Sequence, residues 1–311
     1  MKHTNKPEAS KDVYQIITDR IIEELEKGVI PWKKPWTGTG CGSVSHETGR
    51  PYSLLNQFLL GEVGEYITWE SCKKEGGSVK KGAKSKIVTF WKMLPVDKTD
   101  AAGSPVTDED GKAVKKIIPF LRYYRVFNVK DCDGIKAKYF KEDGIDLPAV
   151  ANPDSVCEEI IADYVNASGI RFENVKQDRA YYSPSLDLVS LPLMDQFTDT
   201  SEYYSTAFHE LTHSTGHKSR LDRFSSNVAA AAFGGTEYSK EELVAEIGAA
   251  SLCHIAGLET PATFKNSAAY IQSWLKVLRN DKKMIVTASS KAEKAVALIL
   301  GQNDETEAVG A

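Results

Sequence analysis

Apolar residues recur at helical spacing near the start of the chain. Val13, Ile16, Ile17, Ile21 and Leu25 fall on one face, and Gly28 stands where such a helix would end. The pattern predicts an amphipathic helix over residues 10–27. The segment Val29-Ile-Pro-Trp-Lys-Lys-Pro-Trp36 follows, then a glycine-rich stretch over 37–49 that reads as loop. Residues 53–60 fit a short apolar helix, and Thr68 is placed to cap another that runs to Lys74. Two runs rich in Val, Ile, Phe, Tyr and Trp, residues 86–94 and 117–129, are expected strands. The polar stretch 96–116 between them is expected to be a flexible hairpin tip.

The pattern changes around residues 143–153, and the boundary is placed at 148/149. Beyond it, 153–166 reads as a helix with Pro153 near its first turn. Residues 170–175, 179–182 and 188–191 read as strands, with a turn at Ser183-Pro-Ser-Leu-Asp187. Helices are expected from Thr200 or Ser201 through His213, over 239–256 and over 266–278, and the tail from Gln302 is expected to be disordered. Strands and helices in separate runs predict an α+β chain with two domains, 1–148 and 149–311.

Composition changes this picture in three ways. First, there is no apolar run long enough to span a bilayer and no apolar core to the first residues such as a signal peptide has. The expectation is a cytoplasmic chain with no membrane partner. Second, Cys41, Cys72, Cys132, Cys157 and Cys253 are odd in number and scattered, which suits reduced thiols. Any metal must then be held by histidines and carboxylates. Third, the net charge of −4 is uneven: residues 1–150 hold 25 Lys/Arg against 21 Asp/Glu, and the remainder 14 against 22. The first part suits a polyanionic partner.

The clearest chemistry lies in Ala207-Phe-His-Glu-Leu-Thr-His213. On a helix His209 and His213 project from one face and can grip one ion, while Glu210 points to where an activated water would lie. Zinc, as one ion, is the expected cofactor, with Glu210 as general base. A third protein ligand is needed. His217 is a weak candidate, because the metzincin pattern puts its third histidine two residues later, where Ser219 stands. Glu241-Glu-Leu-Val-Ala-Glu246 is the better source, since Glu242 and Glu246 are one turn apart and one could bind metal while the other orients a histidine. Ser239-x-x-Glu242 also reads as a capping box, which would leave Glu246 as the ligand. The spacing resembles the gluzincin pattern, in which the first acid binds zinc and the acid four later braces a histidine. That resemblance selects Glu242, with Glu246 as brace or alternative ligand. Tyr203, His217 and Tyr238 are candidates to stabilise an oxyanion.

The first half combines cations with rings. Residues 73–92 hold seven lysines and one acid, interleaved with Phe90 and Trp91 and followed by Arg122, Tyr123, Tyr124 and Arg125. Lysines that track phosphates beside rings that stack on bases are the ingredients of single-strand binding. Trp32, Lys33, Lys34, Trp36, Asn56, Lys80, Lys81, Lys84, Lys86, Arg122 and Tyr124 are therefore the candidate contacts to single-stranded DNA. The competing reading makes the rings core and the lysines a solvated face.

The order of motifs resembles that of ArdC-type antirestriction proteins over nearly the whole chain. The resemblance rests on Gly28-Val-Ile-Pro-Trp-Lys-Lys-Pro-Trp36, Tyr52-Ser-Leu-Leu-Asn56, Val79-Lys-Lys-Gly82 and Tyr124-Arg-Val-Phe-Asn128. It rests also on His209-Glu-Leu-Thr-His-Ser-Thr-Gly-His217, Arg220-Leu-Asp-Arg223, Glu241-Glu-Leu-Val-Ala-Glu246 and Tyr270-Ile-Gln-Ser-Trp274. It implies an N-terminal domain that binds single-stranded DNA, a C-terminal zincin-like metallopeptidase domain, and protection of incoming plasmid or phage DNA from host restriction. A protein of the host restriction machinery would be the peptide substrate. Two other readings stay open: a coating protein in which zinc is only structural, and a nuclease or primase accessory that uses the metal on phosphates.

Overall fold

The computed structural model describes residues 12–33, 42–100, 104–108, 110–139, 152–224, 236–258 and 268–302, with the side chains of 236–238 and 268 left out. Lys34, Trp36, the Tyr238 side chain, most of the expected boundary segment and the tail beyond Gln302 lie outside the described residues.

Helix α1 (Val13–Glu26) starts at Asp12, whose side chain accepts from the Tyr14 amide. It ends at Gly28, whose φ of +80° a side chain would resist. Ile17, Ile21 and Leu25 form its buried stripe, as the spacing requires. Strand β1 (Val44–Ser45), inside the expected loop, pairs parallel with β2 (Glu65–Thr68). Helix α2 (Leu54–Leu60) lies between them, and α3 (Trp69–Lys74) starts at Thr68, whose hydroxyl accepts from the Ser71 amide. A small sheet joins β3 (Ser78–Val79) to β6 (Cys132–Asp133).

The long antiparallel pair is β4 (Lys86–Asp97) with β5 (Lys115–Asn128). Ladder pairing runs to Asp97 and Lys115, so it takes in residues expected to belong to the hairpin tip. The four-stranded sheet has the order β1-β2-β5-β4.

Helix α4 (Pro153–Ser168) begins at Asn152, which caps the Ser155 amide, with Pro153 in its first turn, where no amide donor is needed. A three-stranded sheet follows, order β7-β9-β8, from β7 (Arg171–Val175), β8 (Tyr181–Ser183) and β9 (Leu188–Pro192). Among the described residues four helices follow: α5 (Thr200–Ser214), α6 (Thr236–Ile255), α7 (Ala268–Asn280) and α8 (Met284–Ile299). The α+β class is as expected, while α8 was not foreseen. Helix α6 starts three residues before Ser239, so the expected capping box is absent and Glu242 lies well inside the helix.

Each half has its own sheets, yet the largest core is shared. Ile17, Leu25 and Trp32 from the first half pack in one cluster with Leu243, Ile247, Trp274 and Ile285 from the second. A second cluster, containing Tyr204, Phe208, Leu211, Val189 and Leu252, seats α5 on its sheet and on α6. Burying a side chain such as Phe208 or Leu211 contributes about 1.5–3 kcal/mol, so α5 is firmly held where its histidines emerge.

Candidate metal centre and nucleic-acid face

Helix α5 presents His209 and His213 on the face turned away from Phe208 and Leu211, as residues four apart must. Their Nε2 atoms lie 3.1 Å apart. Glu242 on α6 completes the group: one carboxylate oxygen is 3.4 Å from His213 Nε2 and the other 3.6 Å from His209 Nε2. Zinc held tetrahedrally at about 2.0–2.1 Å by N and O donors requires donor separations of about 3.3–3.4 Å. The donor set therefore fits such an ion in number and type, and one donor atom of each residue lies within 4.8 Å of the other two. Among the described residues these three are the cluster able to hold a metal.

Two features hold the helices at this distance. Gly248 of α6 faces Thr212 of α5, and a Cβ there would lie 2.6 Å from the threonine Cγ2. Glycine is needed for close approach, since any side chain would push Glu242 away from the imidazoles. Arg223 forms the second tie. Its guanidinium donates to both oxygens of Glu241 and to the Thr212 carbonyl and Thr215 hydroxyl at the end of α5.

The electrostatics favour a cation. Burial works against a charged His213, but Glu241, Glu242 and, through space, Glu210 outweigh it and push its pKa up to about 10. Burial would also raise Glu242, yet the two imidazoles hold its carboxyl well below the usual carboxylate range. Glu241, buried as well, is held low by His213 and Arg223. Glu210 is buried next to His209 on the same helix.

Several expected site residues lie elsewhere. Glu246 does not reach a histidine; its carboxylate meets Lys33 Nζ at 3.5 Å. The acid that faces His213 Nδ1, at 3.5 Å, is Glu241. Sequence spacing gave no signal for this, because Arg223, which aims Glu241, comes from the loop after α5. Tyr203 is buried and exchanges hydrogen bonds with Asn174, which commits its hydroxyl, and the His217 ring engages Ser219 through Nδ1.

The nucleic-acid candidates divide in the same way. Trp32 is 2% exposed and packs edge-on against Trp274 at 6.0 Å, so it is core and no stacking platform. Asn56 is buried too: its amide donates to the Thr89 carbonyl and accepts from the Thr89 amide, which fastens α2 to β4. Lys33 lies 4.4 Å over the Tyr270 ring. Lys80 donates to the Lys130 carbonyl, Lys81 is exposed, and Lys84 and Lys86 line a cavity with Asn128 and Asp131.

Arg122 and Tyr124 belong to a larger surface. Residues opposite one another on paired strands share a face. The register Val88↔Tyr124, Phe90↔Arg122 and Lys92↔Phe120 thus sets Tyr124, Phe90, Arg122, Phe120 and Lys92 on one side of the ribbon. Tyr124 meets Phe90 edge-on at 5.7 Å, and Arg122 covers the Phe120 ring at 4.7 Å. Phe120 is 46% exposed. It was not among the expected contacts, although its alternation with Arg122 and Tyr124 along β5 is a signal the sequence carries.

No helix among the described residues is long and apolar enough to cross a membrane. Residues 11–127 match a family model described as the N-terminal domain of anti-restriction factor ArdC, and residues 159–291 match one described as a zincin-like metallopeptidase. Two crystal structures of the antirestriction ArdC protein from plasmid R388 are similar. The metal-free one is 34% identical with a TM-score of 0.68, covering 94% of this chain and 98% of that one. The Mn(II)-bound one is 33% identical with a TM-score of 0.69, covering 96% and 100%. DNA primase TraC of Escherichia coli is 35% identical over 307 residues, which is 94% of this chain and 27% of the primase. The chain thus spans about a quarter of the length of that relative.

Proposed function

The chain belongs to the ArdC antirestriction family, and from that premise we propose that it shields incoming DNA from restriction by binding it as a single strand and by carrying a zinc-dependent peptidase site. The division of labour falls between residues 1–148, which take the DNA, and 149–311, which take the metal and a protein substrate of the restriction machinery. Both operate in the bacterial cytoplasm.

The observation that carries the catalytic half is the convergence of His209, His213 and Glu242, with one donor atom of each within 4.8 Å of the others, beside the buried Glu210. The similar Mn(II)-bound protein adds support for a divalent ion. His209, His213 and Glu242 would hold one zinc ion, leaving a coordination position for water or substrate. When bound, zinc supplies Lewis acidity toward a peptide carbonyl and lowers the pKa of water. Glu210 takes the proton of the attacking water on its carboxylate and returns it to the leaving amine. Arg223 and Glu241 keep the His213 ring from turning.

For the DNA half, the ladder of Tyr124, Phe90 and Phe120 offers rings to bases, while Arg122, Lys92, Lys84 and Lys86 offer cations to phosphates. A chain that reads no base edge in this way binds strands of any sequence, with affinity that falls steeply as salt rises.

The test is Glu210→Gln in the full chain. Zinc content by mass spectrometry should stay at one per chain, while cleavage of restriction-enzyme subunits is lost. If the variant still protects DNA on entry into a restricting host, protection comes from coating the strand and the zinc is structural. Cleavage retained by Glu210→Gln would reject the assigned base.

A further inference from the structure

The carboxylate that faces the far nitrogen of His213 is not the one the sequence pattern implies. In a histidine that binds metal through Nε2, the proton sits on Nδ1, and an acceptor there fixes both tautomer and ring orientation. His213 turns Nε2 toward His209 and Glu242. Its Nδ1 faces Glu241 Oε1 at 3.5 Å.

Helix geometry explains why the residue next to the ligand, and not the one four later, fills this place. Glu241 and Glu242 are separated by about 100° and 1.5 Å along α6, so their carboxylates can flank the two nitrogens of one imidazole. Glu246 is displaced from Glu242 by about 6 Å along the axis, a full turn beyond the ring. There it meets Lys33, from the segment that joins α1 to the shared core.

Glu241 would be a poor brace if it could swing, but it cannot. Arg223 donates to Oε1 at 2.6 Å and to Oε2 at 3.2 Å, and the same guanidinium is anchored to the end of α5 through Thr212 and Thr215. Both side chains are nearly sealed from solvent, at 4% exposure for Arg223 and 9% for Glu241. One arginine thus ties the helix of the two histidines to the helix of the third donor, and aims a carboxylate at the ring edge between them.

We infer that the Arg223–Glu241 pair is the positioning device of the metal centre, fixing His213 with its Nδ1 as donor, and that Glu246 has no part in it. The inference rests on the metal reading proposed above and concerns residues that do not touch the ion.

The test uses the full chain and zinc alone, titrated against a chromogenic chelator, with Glu241→Gln and Glu246→Gln beside the natural protein. Zinc affinity should fall about 10–100-fold in Glu241→Gln and stay within about twofold in Glu246→Gln. In the zinc-loaded protein, the His213 Nδ1 proton resonance should move or broaden in Glu241→Gln only. Should that variant fail to fold, Glu241→Asp and Arg223→Lys, which keep the charges but lose reach or fork geometry, should show an intermediate loss. A Glu241→Gln protein whose melting temperature drops while zinc affinity and the His213 resonance stay unchanged would reduce the pair to a helix cross-link and overturn the inference. So would an affinity loss confined to Glu246→Gln. A natural protein that binds no zinc would instead remove the metal reading itself.

Discussion

The metal centre and the β4–β5 ribbon hold the same kinds of side chain, cations, acids and rings, in opposite circumstances. At the centre each group is fixed by another: Arg223 holds Glu241, Glu241 faces His213, and Gly248 lets α6 lie against α5. On the ribbon, Phe120, Tyr124 and Arg122 are exposed, and Arg122 and Phe90 pack against the neighbouring rings of the same face. The difference matches the two tasks proposed above. Holding one small ion at bond length would demand side chains that do not move, whereas a flexible polyanion would be met by a surface that leaves its rings and charges available. The lesson is that a rigid site fails through its supports, while an open surface fails in proportion to the area removed.

Predictions that would break or sharpen this contrast run from large effects to small. Glu210→Gln should lower peptide hydrolysis by about 10²–10⁴-fold with zinc retained, read from initial rates on the zinc-loaded protein. On the ribbon, Phe120→Ala and Tyr124→Ala should each weaken single-strand binding by about 1–3 kcal/mol, measured by fluorescence anisotropy, with zinc content untouched. Zinc lost from either variant would mean that the two regions are not separate. Gly248→Ala should destabilise the fold by about 1–3 kcal/mol through overpacking against Thr212 and should also weaken zinc binding. Normal zinc affinity in that variant would show that helix spacing is less critical than argued.

The smallest effect concerns a support one layer out. Burial opposes ionisation of Asp187, but Arg220 and Tyr182 outweigh it and hold its carboxyl below the usual range. Because the folded value lies below the unfolded one, near 4, this contribution is complete above about pH 4 and fades as pH falls through the folded value. The melting temperature of Asp187→Asn should therefore lie below that of the natural protein by a constant amount at neutral pH, with the gap closing in acid. A gap that widens in acid would reverse the sign.

Local pattern was enough for whatever depends on a residue's near neighbours in the chain. The stripe of Ile17, Ile21 and Leu25, the alternation of β4 and β5, and the shared face of His209 and His213 follow from periods of 3.6 and 2, and the cap at Thr68 follows from a hydroxyl that accepts from a first-turn amide. What the tertiary structure decided depends on partners far away. Trp32 looks like a surface ring beside lysines until Trp274 covers it, and Asn56 looks free until Thr89 takes its amide. Of Glu241, Glu242 and Glu246 on α6, which one faces the imidazoles, which one a ring edge and which one Lys33 depends on the rotation of one helix against another. That rotation is set by Gly248, Arg223 and the shared core, and no spacing within a single helix encodes it.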